Sequence, residues 1–228
     1  NLFHDVILLI KSTQVYEFFW FKIKNLIKDR TELKNFLLRK NAMGYNTLMF
    51  SAYKKNENSF NFLIEKVYCE NFELKEFIYE VNNKDENFFQ ILAQYGSVSM
   101  LELTLNLLKS GLSADELRHF IKIKGRYGEN LFYFAALNMS CENFIKLFVN
   151  FIKSELGVEK LRKMLSVEES EVCIPWFGAM MCNKNVKIVD LIQTIYEQYF
   201  SVDEILKFLS SERFNKKYWT AFLIGFRS

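Results

Sequence analysis

The side chains best suited to catalysis or metal binding are few and lie far apart in this sequence. The only histidines among the 228 residues are His4 and His119, and the four cysteines form no C-x-x-C pair. Zinc sites and thiol–imidazole pairs need such residues at short, defined spacings. We therefore predict no metal site and no disulfide framework, and we interpret His4 as a hydrogen-bonded structural residue and His119 as a surface residue. The cysteines are Cys69, Cys141, Cys173 and Cys182.

The common enzymatic motifs do not occur in the chain. No G-x-x-x-x-G-K-[ST], G-x-G-x-x-G, G-x-S-x-G or H-E-x-x-H string is found, so phosphate-binding loops, nucleophile elbows and zincin helices are not indicated. The acidic stretch Glu168-Glu169-Ser-Glu171 lacks the alternating ligands of an EF-hand loop. The sequence predicts no enzymatic activity and no cofactor.

Composition limits the class of protein further. Half of the residues are hydrophobic, which excludes disorder. The net charge is only +3, so the chain lacks the excess of positive charge that a dedicated nucleic-acid binder carries. No apolar run reaches the ~18 residues of a membrane helix, and no secretory segment opens the chain. We predict a protein that does not insert into membranes and, given its unpaired cysteines, a cytoplasmic or nuclear location.

A repeating motif dominates the sequence. Asn46-Thr-Leu-Met-Phe-Ser-Ala52, Asn87-Phe-Phe-Gln-Ile-Leu-Ala93 and Asn130-Leu-Phe-Tyr-Phe-Ala-Ala136 each begin with Asn and end with Ala. Weaker copies begin at positions 1, 174 and 220, so successive anchors are separated by 45, 41, 43, 44 and 46 residues. A fixed period of this size is typical of repeat architectures. Because an anchor coincides with Asn1, we also expect the native protein to extend beyond this N-terminus.

Two further sets of apolar positions recur with the same period, and together with the anchors they predict three helices in each repeat. Apolar pairs one turn apart follow the anchors and indicate a long second helix, and a shorter third helix follows it. The Ser113–Glu116 and Ser201–Glu204 pairs predict capping boxes at two of these third helices. None of the helices can bury its apolar stripe alone, so the pattern predicts an all-α solenoid of stacked repeats. The apolar pairs are Val15/Phe19, Phe60/Ile64, Leu101/Leu105, Phe144/Phe148 and Ile188/Ile192, and the third helices place an apolar residue at 33, 74, 117, 161 and 205.

The repeat openings resemble the ankyrin family. Asn41-Ala-Met-Gly44-Tyr-Asn46-Thr-Leu48-Met-Phe-Ser-Ala52 is similar to the ankyrin opening D-x-x-G-x-T-P-L-H-x-A-A, and Gly125-Arg-Tyr-Gly128-Glu-Asn130 repeats it. The period is longer than the ankyrin 33 and falls in the ~40–47 range of HEAT and armadillo repeats, which form the second choice. Gly44 and Gly128 favour ankyrin, since its tight turn requires a permissive backbone. Asp85, Val172 and Tyr218 replace this glycine elsewhere, and there we expect distorted or open turns.

The sequence thus predicts a single solenoid over residues 1–228. Its repeats are approximately 1–40 (partial), 41–81, 82–124, 125–168, 169–214 and 215–228 (partial). In ankyrin proteins the loop tips and first-helix faces form a concave surface that binds another protein, so the resemblance implies a non-enzymatic interaction scaffold with an unidentified protein partner. The residues expected to contact that partner are Tyr45, Tyr53, Lys54, Tyr95, Arg126, Tyr127, Asn138 and Lys216, with Tyr45, Tyr127 and Tyr218 expected to be exposed at loop tips.

One alternative function is RNA binding by the basic N-terminal face. Basic residues interleaved with Phe21 and Phe36 are compatible with a nucleic-acid patch, but the same spacing is typical of a solvated face of two amphipathic helices. The nearly balanced charge of the chain favours the solvated face. The basic residues are Lys22, Lys24, Lys28, Arg30, Lys34, Arg39 and Lys40.

Overall fold

The structure is a computed structural model that describes His4, Val6, Ile10 and residues 12–138, 142–166 and 185–210. This part of the chain is all-α, as predicted. Thirteen helices have defined bounds, His4 and Val6 are also helical, and no strand occurs among these residues, although Val81 and Asn87 form an isolated antiparallel bridge. The chain divides into two compact units, Asn1–Ser113 and Ala114–Ser228.

The first unit alternates short and long helices. The short helices α3 and α6 pack against each other, and the long helix α4 packs against both α1 and α7. Ala52 and Ala93, late in α3 and α6, are fully buried as predicted, because small side chains allow close helix packing. The helices are α1 (Thr13–Leu26), α2 (Arg30–Leu38), α3 (Thr47–Tyr53), α4 (Glu57–Cys69), α5 (Leu74–Ile78), α6 (Phe88–Tyr95) and α7 (Val98–Gly111).

The second unit is built around its longest helix, α10, which packs against α8, α9, α11 and α12. Ala136 at the end of α9 is fully buried. The predicted capping box at Ser201 forms, because the Ser201 and Glu204 side chains each accept a hydrogen bond from the other residue's amide N–H. The helices are α8 (Ala114–Ile121), α9 (Leu131–Ala136), α10 (Glu142–Leu156), α11 (Val158–Leu165), α12 (Val186–Tyr199) and α13 (Val202–Ser210).

The predicted helix face is buried in four of the five long helices. Phe60/Ile64, Leu101/Leu105, Phe144/Phe148 and Ile188/Ile192 are all buried. The prediction is wrong for α1, in which Tyr16 and Trp20 are buried while Val15 and Phe19 are only half-buried. The buried face of this helix is therefore displaced by one residue relative to the repeat period, and the Tyr16 hydroxyl on this face donates to the Ile10 carbonyl.

Three turns precede the short helices, and they share one hydrogen-bond pattern. In each five-residue turn, the N–H of the first residue donates to the carbonyl of the fifth residue. The carbonyl of the first residue accepts from the N–H of the fourth, and the N···O distances are 2.8 to 3.0 Å. The fourth residue is left-handed in every case, with φ of +81° at Gly44, +61° at Asp85 and +81° at Gly128. The first, fourth and fifth residues are Asn41, Gly44 and Tyr45; Asn82, Asp85 and Glu86; and Gly125, Gly128 and Glu129.

The expectation of a distorted or open turn at Asp85 is therefore wrong. Aspartate tolerates the left-handed region better than most residues because its short polar side chain bonds locally. The two turns of the first unit also contact each other, since the Asn83 N–H donates to the Met43 carbonyl at 3.2 Å and the Asn83 amide donates to the Ala42 carbonyl at 2.9 Å. Val172 and Tyr218 lie outside the described residues.

The anchor asparagines cap the short helices. The Asn46, Asn87 and Asn130 side chains accept hydrogen bonds from the amide N–H three residues later. Asn46 and Asn130 also donate to a carbonyl in the third helix of their predicted repeat, at Phe77 and Met164 respectively. One side chain thus satisfies an orphan donor at a helix start and an orphan acceptor near the end of another helix.

Candidate protein-binding surface

Four of the residues predicted to bind a partner come together in the first unit. We call Tyr45, Tyr53, Lys54 and Tyr95 the tyrosine cluster. The Tyr53 ring stacks on Tyr45 with centroids 5.1 Å apart and meets the edge of Tyr95 at 4.8 Å. The Lys54 ammonium lies 5.0 Å from the centroid of the Tyr53 ring. The packing of α3 on α6 positions this cluster, because Tyr53 and Tyr95 are the last residues of those two helices.

The tyrosine cluster keeps part of its surface accessible. Lys54 is exposed, whereas Tyr53 and Tyr95 are half-buried. Burial raises the pKa of Tyr45 to about 12, and the Glu86 carboxylate contributes to the shift. Burial, Glu86 and Tyr53 also raise the pKa of Tyr95. Both phenols therefore remain protonated at neutral pH and can act as hydrogen-bond donors.

Two predicted contact residues are not accessible. Tyr45 is only 4% exposed, since its ring turns back from the loop and packs on Phe50 and Tyr53. Asn138 is 1% exposed and lies directly after α9, where its N–H donates to the Ala135 carbonyl. The expectation that these two side chains lie at the surface is wrong. The buried Tyr45 ring instead stacks on the interior side of the Tyr53 ring.

The second unit presents one exposed aromatic residue at a loop tip. Tyr127 is 64% exposed, as predicted, and Arg126 beside it is exposed. The Glu129 carboxylate accepts from the Tyr127 N–H at 2.9 Å, which holds the tip in its turn. Lys216 and Tyr218 lie outside the described residues.

The basic stretch of the first unit is largely engaged by residues of the next predicted repeat. Lys24, Lys34 and Lys40 form ion pairs with Glu70, Glu76 and Glu80 at 2.6 to 2.7 Å. Arg30 donates to the carbonyls of Glu70 and Asn71, at the C-terminal end of α4, where cations are favourable. These contacts support the reading of the stretch as a solvated structural face.

The remaining candidate residues take the places expected of structural residues. The buried His4 donates its Nε2–H to the Tyr45 carbonyl at 3.0 Å, and His119 is exposed, so both interpretations are confirmed. Cys69 is a free, exposed thiol, and the other three cysteines lie outside the described residues. Among the residues that the structure places, no cluster of His, Cys, Asp and Glu is arranged to hold a metal.

In the same part of the chain, no helix has the length and apolar character needed to span a membrane. Comparisons with protein-family models, with curated proteins and with solved structures found no match to the chain.

Proposed function

We propose that this chain is a non-enzymatic scaffold of divergent ankyrin-like repeats that binds another protein through the concave face and loop tips of the repeat stack. The observation that carries the proposal is the tyrosine cluster at the ends of α3 and α6. Partly exposed tyrosines beside a cation have the composition of interface hot spots. The recurring turns and Asn caps, spaced by about one predicted period, support a repeat stack.

Tyrosine suits such a surface for physical reasons. A Tyr ring contributes a large apolar area, loses little side-chain entropy on binding and offers a hydroxyl donor. The contacts among Tyr45, Tyr53 and Tyr95 hold the rings in place before binding, which lowers the ordering cost. Tyr127 and Arg126 supply a similar pair in the second unit, and Lys216 is the remaining residue of the predicted set that the structure does not contradict.

The proposal is tested by affinity capture from the source cells, with the partner identified by mass spectrometry and then titrated. Lys54→Glu is expected to weaken binding while leaving the melting temperature unchanged, because Lys54 is exposed. Tyr53→Ala is expected to weaken it by about thirtyfold, which corresponds to the ~2 kcal/mol scale of a hot spot. The matched control is Lys122→Glu, which changes an exposed lysine elsewhere. Unchanged affinity in both cluster variants would remove the tyrosine cluster from the binding surface.

RNA binding remains the alternative function, and salt dependence separates the two. Binding through phosphates weakens steeply between low and moderate salt, because condensed counterions are released. The ion pairs of Lys24, Lys34 and Lys40 with carboxylates reduce the support for this alternative. An affinity for single-stranded RNA that falls steeply with salt and is lost in Lys22→Glu would favour it over the scaffold.

A further inference from the structure

The tyrosine cluster contains three hydrogen-bond donors that have no acceptor in the described part of the chain. The Tyr53 and Tyr95 hydroxyls form no hydrogen bond there, and the Lys54 ammonium forms neither a hydrogen bond nor an ion pair. Tyr45 differs, because its hydroxyl is hydrogen-bonded to the Asn82 side chain. The unsatisfied donors thus lie on the three accessible members, since Tyr53 and Tyr95 are half-buried and Lys54 is exposed.

The accessible edge of the tyrosine cluster also carries positive charge. The Lys54 ammonium lies 5.0 and 5.5 Å from the centroids of the Tyr53 and Phe50 rings, so it contacts aromatic rings without an opposite charge. The next residue, Lys55, is exposed, and its ammonium forms no ion pair with any residue that the structure describes. Two adjacent lysines at the end of α3 therefore receive no counter-charge from these residues.

Two carboxylates of the first unit that follow α3 in the chain are held by neutral donors. Glu57, in the first turn of α4, has a pKa lowered by hydrogen bonds from the Ser97 and Ser99 hydroxyls. Glu86 accepts from the Asn82 side-chain amide at 2.6 Å. Neither carboxylate forms an ion pair within the described ranges. The lysines at the end of α3 are thus not neutralised by either of these groups.

We propose that the tyrosine cluster binds a linear segment of the partner protein in which an aspartate or glutamate stands next to an apolar residue. The segment's carboxylate accepts from Lys54 and the Tyr53 hydroxyl, and its apolar side chain packs on the Tyr53 and Tyr95 rings. A carboxylate supplies both the acceptor and the opposite charge that these groups lack, and such charge-assisted hydrogen bonds are the strong ones. The inference rests on the proposed function and adds the chemistry of the partner.

Glu86 determines which side of the tyrosine cluster receives the carboxylate. Its negative charge contributes to the raised pKa of Tyr95, so a second carboxylate beside that hydroxyl would be repelled. The partner's carboxylate is therefore expected on the Lys54 side, and the Tyr95 hydroxyl is expected to donate to a neutral acceptor such as a backbone carbonyl of the segment. A basic segment would instead meet the uncompensated charges of Lys54 and Lys55.

The test begins with a phage-displayed library of random dodecapeptides, selected in parallel on the full chain and on its Tyr53→Ala variant. Peptides enriched only on the unaltered chain are expected to carry Asp or Glu beside an apolar residue more often than the unselected library does. The most enriched peptide is then synthesised with blocked ends, labelled with fluorescein and titrated with the chain. Its amide version, with Asn and Gln in place of Asp and Glu, is expected to bind at least about tenfold more weakly.

Variants of the chain identify the contacts. Lys54→Glu is expected to lower the affinity of the acidic peptide about tenfold or more, and Lys122→Glu is the matched control that should leave it unchanged. Tyr53→Phe keeps the ring and removes only the hydroxyl, so a loss of about tenfold is expected. Glu86→Gln keeps an acceptor for Asn82 but removes the repelling charge, and it is expected to raise the affinity. Thermal melts verify that each variant is folded.

Three results would overturn the inference. They are enrichment of basic or uncharged peptides, acidic peptides whose affinity Lys54→Glu leaves unchanged, and no enrichment on the unaltered chain over Tyr53→Ala. Each of them leaves the proposed function standing as long as the partner captured from cells still requires Tyr53. The proposed function itself fails in a different measurement, when neither Tyr53→Ala nor Lys54→Glu changes the affinity for that captured protein.

Discussion

A single asparagine side chain links two helices at corresponding places in both units. Asn46 and Asn130 each cap a short helix with the side-chain oxygen and hold the third helix through the side-chain nitrogen. A threonine at these positions would have a single hydroxyl, which cannot reach both groups with separate atoms. The asparagine amide can, because its oxygen accepts while its nitrogen donates.

Replacing the anchor is expected to be costly. Asn46→Ala removes a cap worth ~1 kcal/mol and leaves the Phe77 carbonyl without this donor, a further cost of ~1–3 kcal/mol. Asn185→Ala is the control, because Asn185 caps α12 from an exposed position and should cost ~1 kcal/mol or less. Urea unfolding of both variants measures the difference. Equal losses would show that the second hydrogen bond of Asn46 contributes nothing.

The buried phenol of Tyr45 predicts a loss of stability in alkali. Its pKa is raised to about 12 in the folded protein, above the ordinary value of ~10. The stabilisation is therefore fully present below about pH 10 and is lost as the pH rises towards 12. Tyr45→Phe is expected to weaken this pH dependence. Chemical unfolding at several pH values, with tyrosinate absorbance as the second readout, tests the prediction, and identical profiles would contradict it.

At the scale of elements, the turns show how much the sequence could predict. The turn at Gly44 was predictable, because glycine marks a left-handed position. The matching turn at Asp85 was not, since only the repeated hydrogen bonds reveal that aspartate occupies the same conformation. The register of α1 also escaped prediction, because the apolar or aromatic residues at positions 15, 16, 18, 19, 20 and 21 lie on several sides of the helix and do not single out one face. The buried orientation of Tyr45 also escaped prediction, because it depends on packing against the Phe50 and Tyr53 rings of α3.

The Asp85 turn can be tested by substitution. Asp85→Gly is expected to leave stability unchanged or slightly raised, because glycine adopts positive φ without strain. Asp85→Val is expected to cost ~1–2 kcal/mol, because a β-branched residue is strained there. Thermal melts of the two variants provide the comparison. A valine variant as stable as the glycine variant would mean that the turn does not hold its left-handed residue.

At the scale of the whole molecule, contacts recur at distances of about one predicted repeat. Lys24–Glu70 and Lys34–Glu76 span 46 and 42 residues in the first unit, and Arg162–Glu204 spans 42 in the second. Exposed ion pairs contribute only ~0–1 kcal/mol each. The consistent spacing of these ion pairs therefore reflects the order of the helices along the chain. Stability comes mainly from the buried apolar side chains.

The first unit is expected to fold by itself. A chain comprising residues 1–113 retains the packing of α1 on α4, of α3 on α6 and of α4 on α7. We therefore expect a helical circular-dichroism spectrum and one cooperative thermal transition. A Phe60→Ala version, which empties a fully buried position, should lose ~3–5 kcal/mol. A non-cooperative melt of the parent fragment would contradict this prediction.

The hydrogen bonds from Asn83 to the preceding turn limit the substitutions that either turn can accept during evolution. A Cβ on Gly44 would lie 2.4 Å from the Asn83 side chain and 2.5 Å from its backbone nitrogen, so neither turn has room to alter its path alone. An insertion or a bulkier residue in one loop forces an adjustment in the other. The neighbouring tips at Gly44 and Asn83 must therefore diversify as a pair.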